Sequence, residues 1–194
     1  MDYRPNIDGV LWFAKHVWPQ VRARCPKATF YIVGRRPAPA IQRLAQVPGV
    51  IVTGAVPDVR PYLNRAAVVV APLLIARGIQ NKILEAMAAC RPVVASPEAI
   101  VGLPAHPREH LIEAASIEEW GSAVCRLLKD PCLQRRFGRA ARKYAENQHA
   151  WERCLSAYVD VLKTTQRRAA DTATWREPGS WLAHIGATMQ RTSG

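Results

Sequence analysis

The sequence predicts an α/β protein built on a parallel β-sheet with helices on both faces. Three observations carry that prediction. Short apolar runs recur along the chain, as in TFYIVG, VIVTG, AAVVVA and PVVAS, and their β-branched content suits buried strands. Segments with apolar residues at helical spacing lie between them. Glycine or proline punctuates the strand ends, as Gly34 and Pro72 do. Strands that alternate with helices pair in parallel, because the crossover helices cover both faces.

The elements follow in order. Residues 6–24 read as a helix with Val10, Phe13, Val17 and Val21 near one face, and Pro19 is expected to end or kink it. Residues 29–34 form a strand, 40–46 a short helix and 50–54 the next strand. Residues 59–66 form a short helix, with Asp58 as its N-cap. Residues 67–71 are a strand, stopped by Pro72. A helix over 79–90 leads into a strand over 92–96, and 111–115 form a weaker strand. Residues 117–129, 133–147 and 150–166 are helices. From Arg167 the pattern dissolves into Ala, Thr, Arg, Gly and Ser. The expected organisation is thus one domain over residues 1–166 and a poorly ordered tail over 167–194, in which Trp175 and Trp181 are the docking candidates.

Composition narrows the function classes. A chain of 194 residues that is 49% hydrophobic can bury a sizeable core. No apolar run approaches the ~20 residues that span a bilayer. The start, MDYRPN, lacks the basic and apolar regions of a secretory signal, so a cytoplasmic setting is the default. Five cysteines without metal-like spacing read as free thiols, and no metal site is expected. The net charge of +12 fits several sources: nucleic-acid contact, anionic lipid at the inner membrane face, a diphosphate ligand, or solvated arginine. In RLLKDPCLQRRFGRAARKY the bases lack interleaved aromatics for stacking. Leu127, Leu128, Leu133, Phe137, Ala141 and Tyr144 instead mark a buried side of two helices. That excludes a nucleic-acid module. His16, His106 and His110 read as structural or solvated.

In an open α/β sheet, ligands bind outside the carboxyl ends of the strands. Four loops lie there: 34–36, 54–58, 72–82 and 96–102. The third leads into GIQNKILEAMAACRPVVAS, residues 78–96. Gly78 lets the backbone approach a ligand or take a positive φ. The helix start offers free N–H groups and the positive end of a dipole to an anion. Lys82 and Glu85, three apart, share one helix face. They place a cation for phosphate and a carboxylate for a hydroxyl pair near one pocket. Each also has a plain alternative: a solvated lysine, and a glutamate stabilising its helix.

This stretch resembles the donor-binding helix of retaining GT-B glycosyltransferases of the family-4 type. It is most similar to exopolysaccharide sugar transferases that read G-I-x-N-K-x-LEAMA. MDYRPNIDGVLWF, FYIVGRRP, VIVTGAVPDVRPYL and VVVAPL add matching segments in the right order. The resemblance implies a Rossmann-like domain, the nucleotide-sugar half of a GT-B enzyme, in a bacterial cytoplasm. It implies no cofactor beyond the donor substrate, a nucleoside-diphosphate sugar. It assigns the catalytic roles to Lys82 at the diphosphate and Glu85 at the ribose. Gly78, Ile79, Gln80 and Asn81 would offer backbone groups to phosphate or sugar. Val56, beside Gly54, stands where the family contacts the base, and Arg35, beside Gly34, can reach phosphate or base; core packing and solvation are the respective alternatives.

Three departures from the family pattern stand out. Arg77 occupies the place of the other glutamate of the pair, which touches the donor sugar in relatives; an arginine there can bind a carboxylated sugar or a phosphate. The first strand and its basic phosphate residue are expected to be missing, with Asn6 near where many relatives carry a lysine. The acceptor-binding half is also expected to lie elsewhere. A missing strand would leave an unpaired edge or a gap in the sheet, and hence self-association. The resulting reading is a donor-binding domain moving a hexose to a glycan or lipid-linked acceptor, inactive alone. The alternative is a non-catalytic nucleotide-binding or partner-docking module. A Rossmann-like epimerase or oxidoreductase is disfavoured by the lack of a GxGxxG loop.

Overall fold

The computed structural model describes residues 3–150, 155–156 and 158–166. It begins with one long helical stretch. Helix α1 (Arg4–Trp12) passes through a π-helical turn (Phe13–Val17) into α2 (Trp18–Arg24). Pro19 therefore does not end the helix. Its missing N–H leaves the carbonyl one turn back without a donor, and its ring crowds that carbonyl. The wider turn absorbs that conflict, with the Trp18 N–H reaching the Phe13 carbonyl. Phe13, Val17 and Val21 are buried along this stretch, as their spacing predicts, together with Trp18.

Five strands follow, all paired in parallel. β1 (Phe30–Val33) pairs with β2 (Val50–Gly54), Phe30 lying opposite Val50. β3 (Val69–Ala71) pairs with β4 (Val93–Ala95), which pairs with β5 (Ile112–Glu113). These are two separate sheets, β1–β2 and β3–β4–β5, which matches the gap expected as one result of a missing first strand. The order has a simple reading. In a doubly wound pattern the first strand lies between the second and the fourth. The five strands take the second to sixth places, and no described strand takes the first, between β1 and β3.

Both sheets share one core. Phe13, Val17, Trp18 and Val21 pack with Ile32 and Val50 of the first sheet and Val94 of the second. Helix α7 (Ile117–Lys129) adds Trp120, Val124 and Leu127. A second core joins β3 and β4 to α5 (Asn81–Ala88) and α8 (Pro131–His149) through Ile83, Met87, Val93, Ala141 and Tyr144. β4 is covered on both sides; Val93, Val94 and Ala95 are each 0% exposed. The basic stretch of α7 and α8 buries Leu127, Phe137, Ala141 and Tyr144, with Leu128 and Leu133 half-buried, so its arginines form the solvated side.

The remaining elements are short. α3 (Pro39–Arg43) follows β1, and α4 (Arg60–Arg65) follows β2. The N-cap of α4 is Val59 rather than Asp58, whose Oδ1 instead accepts from the Arg60 N–H at 2.9 Å. α6 (Pro97–Ile100), which the sequence did not reveal, follows β4. α7 opens on a capping box, with Ser116 Oγ accepting from the Glu119 N–H and the Glu119 carboxylate accepting from the Ser116 N–H. Residues 155–156 and 158–166 are helical and belong to a separate unit. The expected tail, with Trp175 and Trp181, lies outside the described residues.

Candidate functional site: the start of helix α5

Parallel pairing within each sheet sends the carboxyl ends of its strands, and the loops that follow them, to one edge. The loop after β3 carries the richest set of groups. Pro72 and Leu73 are buried, while Arg77, Gly78 and Ile79 are exposed. Gly78 has φ +66°, and nothing stands within 4 Å of where a Cβ would lie. That backbone therefore faces open space in a conformation suited to glycine. Gln80 precedes α5 as its N-cap, and no side chain caps the helix. Its Nε2 donates instead to the carbonyls of Arg77 and Gly78, both at 3.3 Å, which ties the loop back on itself. No side chain therefore takes up the amides that open α5, an arrangement that can receive an anion, aided by the dipole.

Other elements hold this loop from below. Ser96, just after β4, is 6% exposed. Its Oγ donates to the Leu73 carbonyl at 2.6 Å. Gly102, in the loop after α6, sits so close that a Cβ there would lie 2.9 Å from the Gly78 carbonyl carbon and 3.2 Å from the Ile79 nitrogen. Helix α1 touches the same loop: a Cβ on Gly9 would collide with the Pro72 carbonyl oxygen. One turn earlier on α1, Asn6 Oδ1 accepts a hydrogen bond from Lys82 Nζ at 2.5 Å. Lys82 is half-buried, and burial pushes its ammonium pKa down. Glu85 is exposed one turn further along α5.

The predicted residues thus fall into two groups. Arg77, Gly78, Ile79, Gln80, Asn81, Lys82 and Glu85 lie together on the loop and first turns of α5. Gly34, Arg35, Gly54 and Val56 lie at the ends of β1 and β2. There the Gly34 N–H donates to the Gly54 carbonyl at 3.2 Å, and Gly54 has φ +70°. Arg35 is exposed and Val56 half-buried.

Sequence reasoning named the loop 96–102 without singling out Ser96 or Gly102, and it left Asn6 without a partner. A hydroxyl closing the buried run PVVA was the available signal for Ser96. Nothing local marks Lys82 as the partner of Asn6. A cavity of about 230 Å³ adjoins the loop, lined among others by Trp12, Pro72, Leu74, Ser96, Glu98 and Trp120. It contains none of the predicted residues. Among the described residues no group of three His, Cys, Asp or Glu could hold a metal ion.

A family model described as "Glycosyl transferases group 1" matches residues 1–130. Comparison with curated proteins finds no match. Among solved structures, a TarM mutant of S. aureus, crystallised with Fondaparinux, alpha-GlcNAc-glycerol and UDP, is similar at a TM-score of 0.68 and 21% identity, over 82% of this chain and 33% of TarM. HepE of Anabaena, in complex with UDP and glucose, is similar at 0.65 and 17% identity, over 78% of this chain and 45% of HepE. The C-terminal domain of LpcC, a glycosyl transferase group 1 family protein of Francisella tularensis, is similar at 0.64 and 14% identity, over 77% of this chain and 82% of that domain. The chain therefore spans about a third of TarM and under half of HepE. These likenesses establish the fold. With its first 130 residues under the family's model, the chain belongs to the group 1 glycosyl transferases.

Proposed function

We propose that this chain is the donor-binding domain of a retaining glycosyltransferase, moving a hexose from a nucleoside-diphosphate sugar to a glycan or lipid-linked acceptor in bacterial exopolysaccharide synthesis. The observation that carries the reading is the uncapped start of α5, with Lys82 held beside it and Glu85 on the same helix. Lys82 and the helix amides would meet the diphosphate, and Glu85 would accept from the ribose hydroxyls. Catalysis would rest on stabilising the departing diphosphate, since preorganised donors and positive charge act where negative charge develops. Nucleotide sugars are the natural partner class, consistent with UDP beside TarM and HepE.

An acceptor-binding half would come from elsewhere in the enzyme, and the isolated chain would bind nucleotide without useful transfer. Holding both substrates together is worth on the order of 7–11 kcal/mol in the best cases. The unjoined edges of β1 and β3 support self-association as a further expectation. No described helix is long and apolar enough to cross a membrane. A cytoplasmic site of action, with peripheral contact through the basic surface, accords with the net charge of +12. Arg77 favours the second reading, a non-catalytic nucleotide-binding or partner-docking module, because it stands in place of the sugar-contacting glutamate.

Titration calorimetry with UDP, GDP and ADP on the wild type and Lys82→Ala tests the proposal. Binding of one nucleotide by the wild type, weakened in the variant, is expected. Equal heats for both proteins would remove Lys82 from the site. A transfer assay with the bound nucleotide's sugar then separates the two readings, once the acceptor half is supplied.

A further inference from the structure

Asn6 and Lys82 lie 76 positions apart, and their side chains meet at 2.5 Å. A lysine ammonium has three donors and no acceptor, so it fixes which way the amide faces. Oδ1 must point at Nζ, and the Nδ2 group, with its two donors, points away from it. No hydrogen bond of Nδ2 is found among the described residues. Resting on the donor-site reading above, we propose that Asn6 is a further binding residue of that site: it holds the Lys82 ammonium by Oδ1 and presents Nδ2–H to the same diphosphate.

The neighbourhood favours a neutral residue at this position. A carboxylate would hold Lys82 as well, but would cancel its charge and repel a diphosphate. A lysine, which the resemblance places near here in many relatives, has no acceptor to offer the Lys82 ammonium. The nearest carboxylate on α1, Asp8, is engaged by Arg4, whose Nε lies 2.9 Å from each of its oxygens. That pairing keeps a negative charge occupied close to the site. The close approach of Gly9 to the Pro72 carbonyl fixes α1 against the loop, and Asn6, three residues earlier, shares that helix face. The amide therefore sits on an element fastened to the loop that α5 grows from. A hydrogen bond from a neutral donor to a charged acceptor carries enough free energy to be read in affinity.

The experiment compares wild type, Asn6→Ala and Asn6→Asp in the full 194-residue chain. The ligands are the best-bound nucleoside diphosphate of UDP, GDP and ADP, and its nucleoside without phosphate. Thermal unfolding without ligand and the NMR titration of the Lys82 Nζ accompany the binding. Asn6→Ala should weaken diphosphate binding about tenfold and leave nucleoside binding unchanged. Asn6→Asp should weaken diphosphate binding further while keeping or raising thermal stability, and should raise the Lys82 pKa. A purely structural tether gives another pattern: both variants lose stability, and the preference for diphosphate over nucleoside stays at the wild-type value. That pattern, or wild-type affinity in Asn6→Asp, overturns the proposal. If the wild type binds no nucleoside diphosphate, the donor-site reading falls and this inference with it; wild-type binding with indifferent variants removes Asn6 alone.

Discussion

The two sheets carry the two halves of the candidate site, and they are built to different standards. On the side of β3–β4–β5, strand β4 is fully buried, and the loop into α5 is fastened from several directions. Ser96 pins its start, Gly102 underlies Gly78, and α1 meets both Pro72 and Lys82. On the side of β1–β2, Tyr31 is 49% and Ile51 41% exposed. A hydrogen bond from the Gly34 N–H to the Gly54 carbonyl links the two strand ends carrying Arg35 and Val56. A diphosphate demands fixed geometry, because charge-assisted hydrogen bonds weaken steeply with distance and angle. The better-fastened side is where the proposed phosphate-binding groups lie. The β1–β2 side offers the exposed Arg35 and the half-buried Val56, a surface suited to looser contact with a base.

The largest test of this contrast is steric. Gly138 in α8 lets that helix approach the end of α5 so closely that a Cβ would collide with the Cys90 carbonyl oxygen. Gly138→Ala should cost about 3 kcal/mol of stability, as overpacking does. Tyr31→Ser, on the exposed sheet, should change stability by about 0.5 kcal/mol or less. Urea denaturation of both variants compares the two sides directly, and equal losses would erase the distinction. Ser96→Ala should come next, at about 1.5 kcal/mol, since it removes a buried hydroxyl that donates to Leu73. Its diphosphate affinity should fall as well, because the loop start loses its anchor.

Cys90 provides a smaller test of opposite sign. It closes the α5 segment with φ +59°, a left-handed conformation that strains any side chain. Cys90→Gly should raise stability by about 0.5 kcal/mol, the relief of that strain less the entropy of a glycine. A loss in the same denaturation series would mean that the thiol's packing near Gly138 outweighs the strain.

Much of the proposed donor side was legible because its signals are local. Gly78, the helix periodicity through Ile83 and Met87, and the apolar PVVA run sit next to one another in sequence, and short-range physics fixes them. Phe13, Val17 and Val21 were readable for the same reason. The split into two sheets was one of two expected results of a missing first strand, an unpaired edge or a gap, and sequence alone did not choose between them, since strand neighbours depend on where every strand docks. The Asn6–Lys82 contact was equally hidden: neither residue carries a mark of the other across 76 positions. Pro19 was expected to end or kink its helix, and the helix does not end there, because a π turn is a rare answer to a common conflict. Asp58 was one residue out, within the ordinary uncertainty of helix ends.

The smallest effect is expected from pH. Burial holds the Lys82 pKa below 10.5 in the folded protein. Between that lowered value and 10.5 the unfolded chain binds more protons, so rising pH favours the folded state across this window. Diphosphate binding runs the other way, because it needs the ammonium. Affinity should fall as pH climbs through the lowered pKa, sooner than a solvated lysine would allow. Lys82→Arg, which stays charged, should flatten that fall, and calorimetry at stepped pH measures it. An unchanged profile would separate Lys82 from the ligand.

The most direct measurement is amide NMR of the isotopically labelled chain during titration with UDP, GDP and ADP. A diphosphate seated at the start of α5 should shift the amides of Gly78, Ile79, Gln80, Asn81 and Lys82 most, and that of Asn6 with them. Smaller shifts should appear at Arg35 and Val56, where the base would lie. Saturable shifts confined to the cavity beside Trp12 and Trp120, or no shifts with any of the three nucleotides, would contradict a donor site at this helix.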